Sequence, residues 1–154
     1  MDHLGKIRQF LISSGVEFKE IRHEPTYTSA DSALARGEEL KTGGKAIVMK
    51  VSDNFKLFVI TADRKVDSNK IKRYFEVRKI RFATPHELMQ TTGLVAGSVP
   101  PFGRPILDFE LFIDRSIAEN EVIAFNAGSL TDSIVMRVAD YLKVANGNLI
   151  DFSV

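Results

Sequence analysis

The apolar positions of this chain change period several times, and each change marks an element. Near the start, Leu4, Ile7, Phe10 and Leu11 recur at helical spacing. They predict a helix over residues 2–14 with Gly15 as its C-terminal cap. From Val16 to His23 the pattern becomes an apolar–polar alternation, the mark of a half-buried strand. "SADSALARGEEL" reads as a short helix capped by Thr28 or Ser29, with Gly37 near its end. The runs "GGKAIVMKV" and "KLFVITA" are β-rich and joined by "SDNF"; Asp53-Asn54 suits a hairpin turn, so the two are expected to be antiparallel neighbours. "DSNKIKRYFE" predicts a helix capped by Asp67 or Ser68, and "KIRFA" a short strand. In "TPHELMQTTG", Thr84 is the expected N-cap, Pro85 the first helical residue, Glu87 the second half of a capping box and Gly93 the stop.

"AGSVPPFG" (Ala96–Gly103) then interrupts all periodicity, because proline removes backbone donors and glycine loosens the chain. Beyond it lie three expected strands, Glu110–Asp114, Glu121–Asn126 and Ser133–Arg137, a helix around Ala139–Val144 and a closing "NLIDFS". Neighbouring strands are often too close in sequence for crossover helices. The expected fold is therefore α+β: a curved, mostly antiparallel sheet or barrel flanked by short helices. With 154 residues, no repeat and no linker, residues 1–154 are expected to form one domain.

Composition narrows the chemistry. The absence of cysteine removes disulfides, thiolate metal sites and a thiol nucleophile together. The first residues lack the apolar run of a signal peptide, and nothing approaches the ~18 apolar residues of a membrane span. A cytoplasmic protein that binds no membrane is expected. The net charge is +1, yet Arg64–Arg81 alone carries +6 and the remainder −5. That basic segment, with Lys70, Lys72 and Arg73 at its centre, is either a solvated helix face or a surface for phosphates.

No familiar catalytic signature is present. His3, His23 and His86 are dispersed without metal-ligand spacing, so no metal is expected, and there is no GxSxG, Walker or GxGxxG motif. Three weak features remain. Lys45 opens an apolar strand after two glycines. The loop Gly97-Ser98-Val99-Pro100 has small residues whose amides can approach a ligand. "FNAGS" (Phe125–Ser129) repeats that chemistry at the end of another strand. Together they suggest a pocket lined by backbone groups.

Their order resembles the YbaK / prolyl-tRNA synthetase-associated editing domain family of free-standing aminoacyl-tRNA deacylases. The resemblance runs through "HEPTYTSADSALARG", "KAIVMKV", "GSVPPFG", "LFIDRSI" with Asp114 at a strand end, and "FNAGSLTDSIVMRVADYL". Lys45 matches the family's site lysine. Asn126-Ala127-Gly128 stands where some members have a histidine. The resemblance implies hydrolysis of the ester joining a wrong, small amino acid to the 3′ end of a tRNA, without cofactor. The partner implied is the aminoacylated acceptor end, alone or with an aminoacyl-tRNA synthetase, and not DNA.

In that reading the amides of Gly97-Ser98 and Ala127-Gly128 bind the ester carbonyl or a water. Lys45 holds the terminal adenosine's phosphate or ribose, or orients the ester. Tyr27 and Asn126 contact substrate, while Met49, Val99 and Pro100 set the size limit. Lys70, Lys72 and Arg73 meet tRNA phosphates. An activated ester needs positioning and polarisation more than a nucleophile. Two rivals stay open: a catalytically inactive module of the same fold that binds an aminoacyl or nucleotide moiety or a protein partner, and a hydrolase of another small ester or amide.

Overall fold

In the computed structural model, which describes residues 1–154, the chain runs α1 (His3–Ser13), β1 (Phe18–Arg22), α2 (Ser29–Arg36), β2 (Gly44–Val51), β3 (Asn54–Thr61), α3 (Ser68–Phe75), β4 (Ile80–Phe82), α4 (Pro85–Thr92), β5 (Leu111–Asp114), α5 (Arg115–Ala118), β6 (Val122–Asn126), β7 (Asp132–Arg137), α6 (Val138–Ala145) and β8 (Asn148–Ile150). Local chemistry explains most of the boundaries. Asp2, Thr28, Asp67 and Thr84 each accept a backbone N–H at the start of their helix, and Thr84 and Glu87 form the expected reciprocal box. Helix α2 is shorter than "SADSALARGEEL" suggests: it stops at Arg36, and a 3-10 turn at Leu40–Thr42 follows. The hairpin turn is Ser52-Asp53, one residue earlier than expected, with Ser52 at φ +55°.

The strands form two open sheets. One has the order β1-β7-β6 and is antiparallel throughout; the other has the order β4-β2-β3-β5-β8. In the larger sheet β2 pairs antiparallel with β3 and β4, whereas β3–β5 and β5–β8 are parallel. The α+β expectation holds, and of the sheet-or-barrel alternatives the chain adopts open sheets. The parallel pairs arise because long connections through α3, β4 and α4, and then through α6, return the chain in the same direction. Helix α5 has no apolar period to betray it. It is nucleated by Asp114, whose Oδ2 accepts the Ser116 N–H at 3.0 Å while Oδ1 accepts the Phe152 N–H at 2.8 Å. Asp114 is thus spent on holding β5 to the C-terminal segment.

Pleating divides the larger sheet between two cores. Val48, Leu57, Val59, Leu111 and Ile113 point to the main core, which also takes Ile7 and Leu11 of α1 and Ile123, Phe125 and Ile134 of the smaller sheet. Met49, Val51, Phe58, Ile60 and Phe112 point the other way, under Ile71 of α3. The second half of the "GSVPPFG" loop is anchored in the main core. Phe102 makes edge contacts with Phe10, Phe125 and Tyr141, and the Tyr141 hydroxyl donates to Pro101 O at 2.6 Å.

The two sheets meet at Gly43-Gly44, where Gly43 bridges to Ala124 of β6. A Cβ on Gly44 would lie 2.6 Å from Ile123 Cδ1, and one on Gly43 would lie 3.0 Å from Ala62 Cβ. Ile123 is buried in the main core, so its side chain could yield only by displacing its neighbours. We therefore expect Gly44→Ala to destabilise the fold by ~1–3 kcal/mol through overpacking, measured by urea unfolding; an unchanged midpoint would mean the sheets separate freely at this point.

Candidate active site

The edge of β2 is only half covered. Strand β4 pairs with Met49–Val51 and leaves Gly44–Val48 without a strand on that side. A cavity of about 470 Å³ opens along this edge. One wall is α2 with its leading segment, carrying Tyr27, Ser32 and Arg36. A second is the loop at Gly97 and Val99. A third is Phe82 and Leu88 from β4 and α4, and Asn126 enters from the end of β6. Lys45 and Arg36 are the two cations in the lining, and neither carboxylate nor histidine lines it.

Five of the residues singled out in the sequence, Lys45, Tyr27, Gly97, Val99 and Asn126, therefore line one cavity despite their separation in the chain. Lys45 is half-buried there, and its ammonium makes no hydrogen bond or ion pair to another residue. Gly97 is exposed, at φ +88°, a left-handed conformation that favours glycine. Its N–H has no internal partner, and its carbonyl accepts the Asn126 Nδ2–H at 2.6 Å.

The other residues expected in the pocket need correction, whereas the basic residues of α3 are expected at phosphates outside it. Ser98 does not offer its amide: the N–H donates to Val95 O at 3.2 Å and the hydroxyl donates to the same carbonyl at 2.7 Å, leaving the residue 3% exposed. The Ala127 N–H is likewise spent, on Asp132 O at 2.9 Å within the β6–β7 turn. Gly128 sits against His3 of α1 and does not reach the cavity. Pro100 is buried outside the lining. Met49 is 2% exposed on the opposite face of the pleat, so Val48 lines the cavity in its place. Lys70, Lys72 and Arg73 lie on α3, over the second core and away from the lining. Lys70 Nζ is already engaged, by Asp151 Oδ1 at 3.1 Å and Ser153 O at 2.8 Å.

Arg36 is the functional candidate that sequence reasoning missed. Its Nε–H donates to Ser133 Oγ at 2.9 Å, Nη2 to Asn126 Oδ1 at 3.0 Å and Nη1 to Ala124 O at 3.4 Å. Ser133 Oγ also donates to Asn126 Oδ1, at 3.1 Å, and meets His23 Nε2 at 2.8 Å. No carboxylate pairs with the guanidinium. Burial lowers its pKa to about 10, so it remains a cation at neutral pH. Asn126 is thus gripped by Arg36 and Ser133 on one side and holds the loop at Gly97 on the other. The available signal was the spacing of Ser29, Ser32 and Arg36, which share a helical face and all line the cavity. Beside them, the buried hydroxyls of Thr26 and Ser32 share one hydrogen bond at 2.8 Å. One bond between two hydroxyls leaves a proton and several lone pairs unspent.

Comparison with known proteins identifies the family. The family model described as "Aminoacyl-tRNA editing domain" matches residues 23–144. The chain belongs to that family. The editing-domain match spans every cavity residue named above. Among curated proteins, the chain is 33% identical over 148 residues to the multifunctional Ser/Thr-tRNA deacylase ProXp-y of Escherichia coli (strain K12), covering 92% of this chain and 87% of that protein. It is 26% identical over 97 residues to a proline–tRNA ligase of Geobacillus sp. (strain WCH70), covering 51% of this chain and 17% of that protein. Among solved structures, a candidate trans-editing enzyme for prolyl tRNA synthetase superposes with a TM-score of 0.86 at 20% identity, over 100% of this chain and 98% of that one. This last likeness shows the fold. No helix of the editing domain is long and apolar enough to cross a membrane.

The polar clamp yields a stability prediction. Arg36→Met keeps the aliphatic length but strips the donors from Asn126 and Ser133, and we expect a loss of ~1–3 kcal/mol in thermal or urea unfolding. Arg36→Lys should recover less than half of that loss, because one ammonium cannot span the three acceptors the guanidinium fork reaches. Equal stability of all three proteins would show that the clamp carries no load.

Proposed function

We propose that this chain is a trans-editing deacylase that cleaves the ester between a small, hydroxyl-bearing amino acid and the 3′ end of a tRNA. The observation that carries the reading is the cavity on the open β2 edge, which combines an unpartnered lysine, an unpartnered glycine amide and a polar floor. Water adds to the ester carbonyl carbon, the carbon–oxygen bond to the ribose breaks, and the ribose oxygen leaves with a proton. Free amino acid and deacylated tRNA result. The Gly97 N–H is the group suited to the developing oxyanion, with Lys45 supplying positive charge beside it. With no carboxylate or histidine in the lining, the proton of the attacking water is assigned to the substrate itself: it is taken by the α-amino group, or relayed through the neighbouring ribose hydroxyl to the departing ribose oxygen.

The polar floor favours a hydroxyl on the amino acid. A pocket walled only by Val48, Val99 and Leu88 would separate substrates differing by one methylene by ~1–3 kcal/mol, whereas groups that hydrogen-bond a substrate hydroxyl discriminate far more strongly against its absence. The Thr26–Ser32 pair supplies such groups. The Escherichia coli relative, named for Ser/Thr-tRNA, supports the same substrate class. A synthetase belongs to this proposal as a partner that delivers or retains the tRNA. Lys72 and Arg73 on α3 would meet phosphates distant from the ester, with Lys70 contributing only after leaving Asp151.

The lack of a carboxylate or histidine in the cavity equally suits a module that binds the aminoacyl end without turnover. Release of amino acid from a panel of mischarged tRNAs separates the two readings. We expect seryl or threonyl esters to be cleaved at least tenfold faster than the alanyl ester. Lys45→Ala should lower the rate by roughly 10²–10³-fold with the fold intact, the scale of a lost transition-state contact. Gly97→Val should be as harmful, since valine resists φ +88°. Ser98→Ala should cost less than tenfold, because its hydroxyl serves only the turn. Retention of charged tRNA without hydrolysis would favour the module, and an inactive Ser98→Ala beside an active Gly97→Val would overturn the amide mechanism.

A further inference from the structure

We infer that Tyr27 and Phe82 form a stacking site for the unpaired bases at the 3′ end of the RNA, an inference that rests on the deacylase reading. Both side chains line the cavity, yet they are 77% and 59% exposed. Large rings left in solvent at the mouth of a cavity are an exception to the usual burial of aromatics, and these two come from different walls. Tyr27 lies in the segment entering α2, and Phe82 ends β4 where that strand leaves the β2 edge uncovered.

Covalent geometry says what must lie between them. An amino acid seated on the Thr26–Ser32 floor is tied through its ester to a ribose, and the ribose carries its base only a few bonds farther out. The terminal nucleoside therefore occupies the mouth, and the next nucleotide lies just outside. Every base offers a flat face, so an aromatic ring binds it without reading sequence. The charges agree. The cavity lining has two cations, Lys45 and Arg36, and no anion. The mouth thus pairs aromatic faces with nearby positive charge, the combination that recognises single-stranded nucleic acid. A docking patch for a folded protein would need a broader continuous apolar surface than two rings around a 470 Å³ opening.

The test uses an uncharged RNA hairpin with a fluorescent 5′ end and a single-stranded CCA 3′ end, and its twin with the last two bases replaced by abasic sites. Fluorescence anisotropy should show Tyr27→Ala and Phe82→Ala each weakening binding of the intact RNA by about tenfold. The same changes should leave the weak binding of the abasic RNA unaltered. Tyr27→Phe and Phe82→Tyr should restore most of the alanine loss, because either ring stacks. In deacylation assays the loss should fall mainly on KM. The rings are exposed, so the melting temperature should not move. Equal binding of intact and abasic RNA by the wild-type protein, or unchanged affinity in both alanine variants, would overturn the proposal. Because the probe carries no ester, ring-dependent binding by a protein that cleaves nothing would uphold the stacking site while refuting the deacylase reading.

Discussion

The close approach of two sheets at Gly43-Gly44 is the constraint on which the rest of the molecule depends. Only residues without a Cβ allow the start of β2 to press against Ile123 and bridge to Ala124. That contact places Lys45, the next residue of β2, in one cavity with Asn126 at the end of β6. It also leaves room for the Arg36 guanidinium, whose Nη1 would lie 3.7 Å from a Cβ placed on Gly43. A side chain at either glycine would move the cation, the amide and the clamp relative to one another.

The site built there relies on placement more than on reactive side chains. Each group near the proposed reaction is held by something that has no direct role in it. Gly97 is fixed through its carbonyl by Asn126, and Asn126 by Arg36 and Ser133. The far half of the loop is pinned by Phe102 in the core and by the Tyr141 hydroxyl on Pro101. Such a frame keeps the free Gly97 amide at one orientation, so in the proposed reaction little reorganisation would accompany charge development at the carbonyl. An aminoacyl ester is labile enough for this to suffice, which accounts for a hydrolase of this family with no nucleophile–base pair in its cavity.

The open edge of β2 has a second consequence. A bare strand edge invites pairing with another chain. Here β4 shields the far end, and α2, the loop and α4 surround the rest, so the edge faces a cavity. The same arrangement sets the boundary between interior and mouth. Polar groups from α2 and β6 sit inside, while the exposed rings of Tyr27 and Phe82 sit at the rim.

The sequence alone determined most of the elements and of their ends, though not α5 or β8, because periodicity, capping residues and turn chemistry act over a few residues. It also marked Lys45, Gly97 and Asn126, since glycines around a lysine and a turn-forming strand end are local signals. Only the tertiary structure decided which of the neighbours could serve. Met49 and Val48 are adjacent in sequence, but the pleat sends one to each core. Ser98 and Ala127 looked as free as Gly97 until turns that close through Val95 and Asp132 claimed their amides. Arg36 shared a helical face with Ser29 and Ser32 but gave no sign of its partners, because its acceptors at positions 124, 126 and 133 lie about ninety residues away in the chain. Hydrogen-bond partnership and facing are properties of what folds against a residue, and a one-dimensional pattern holds only the half of that information that is local.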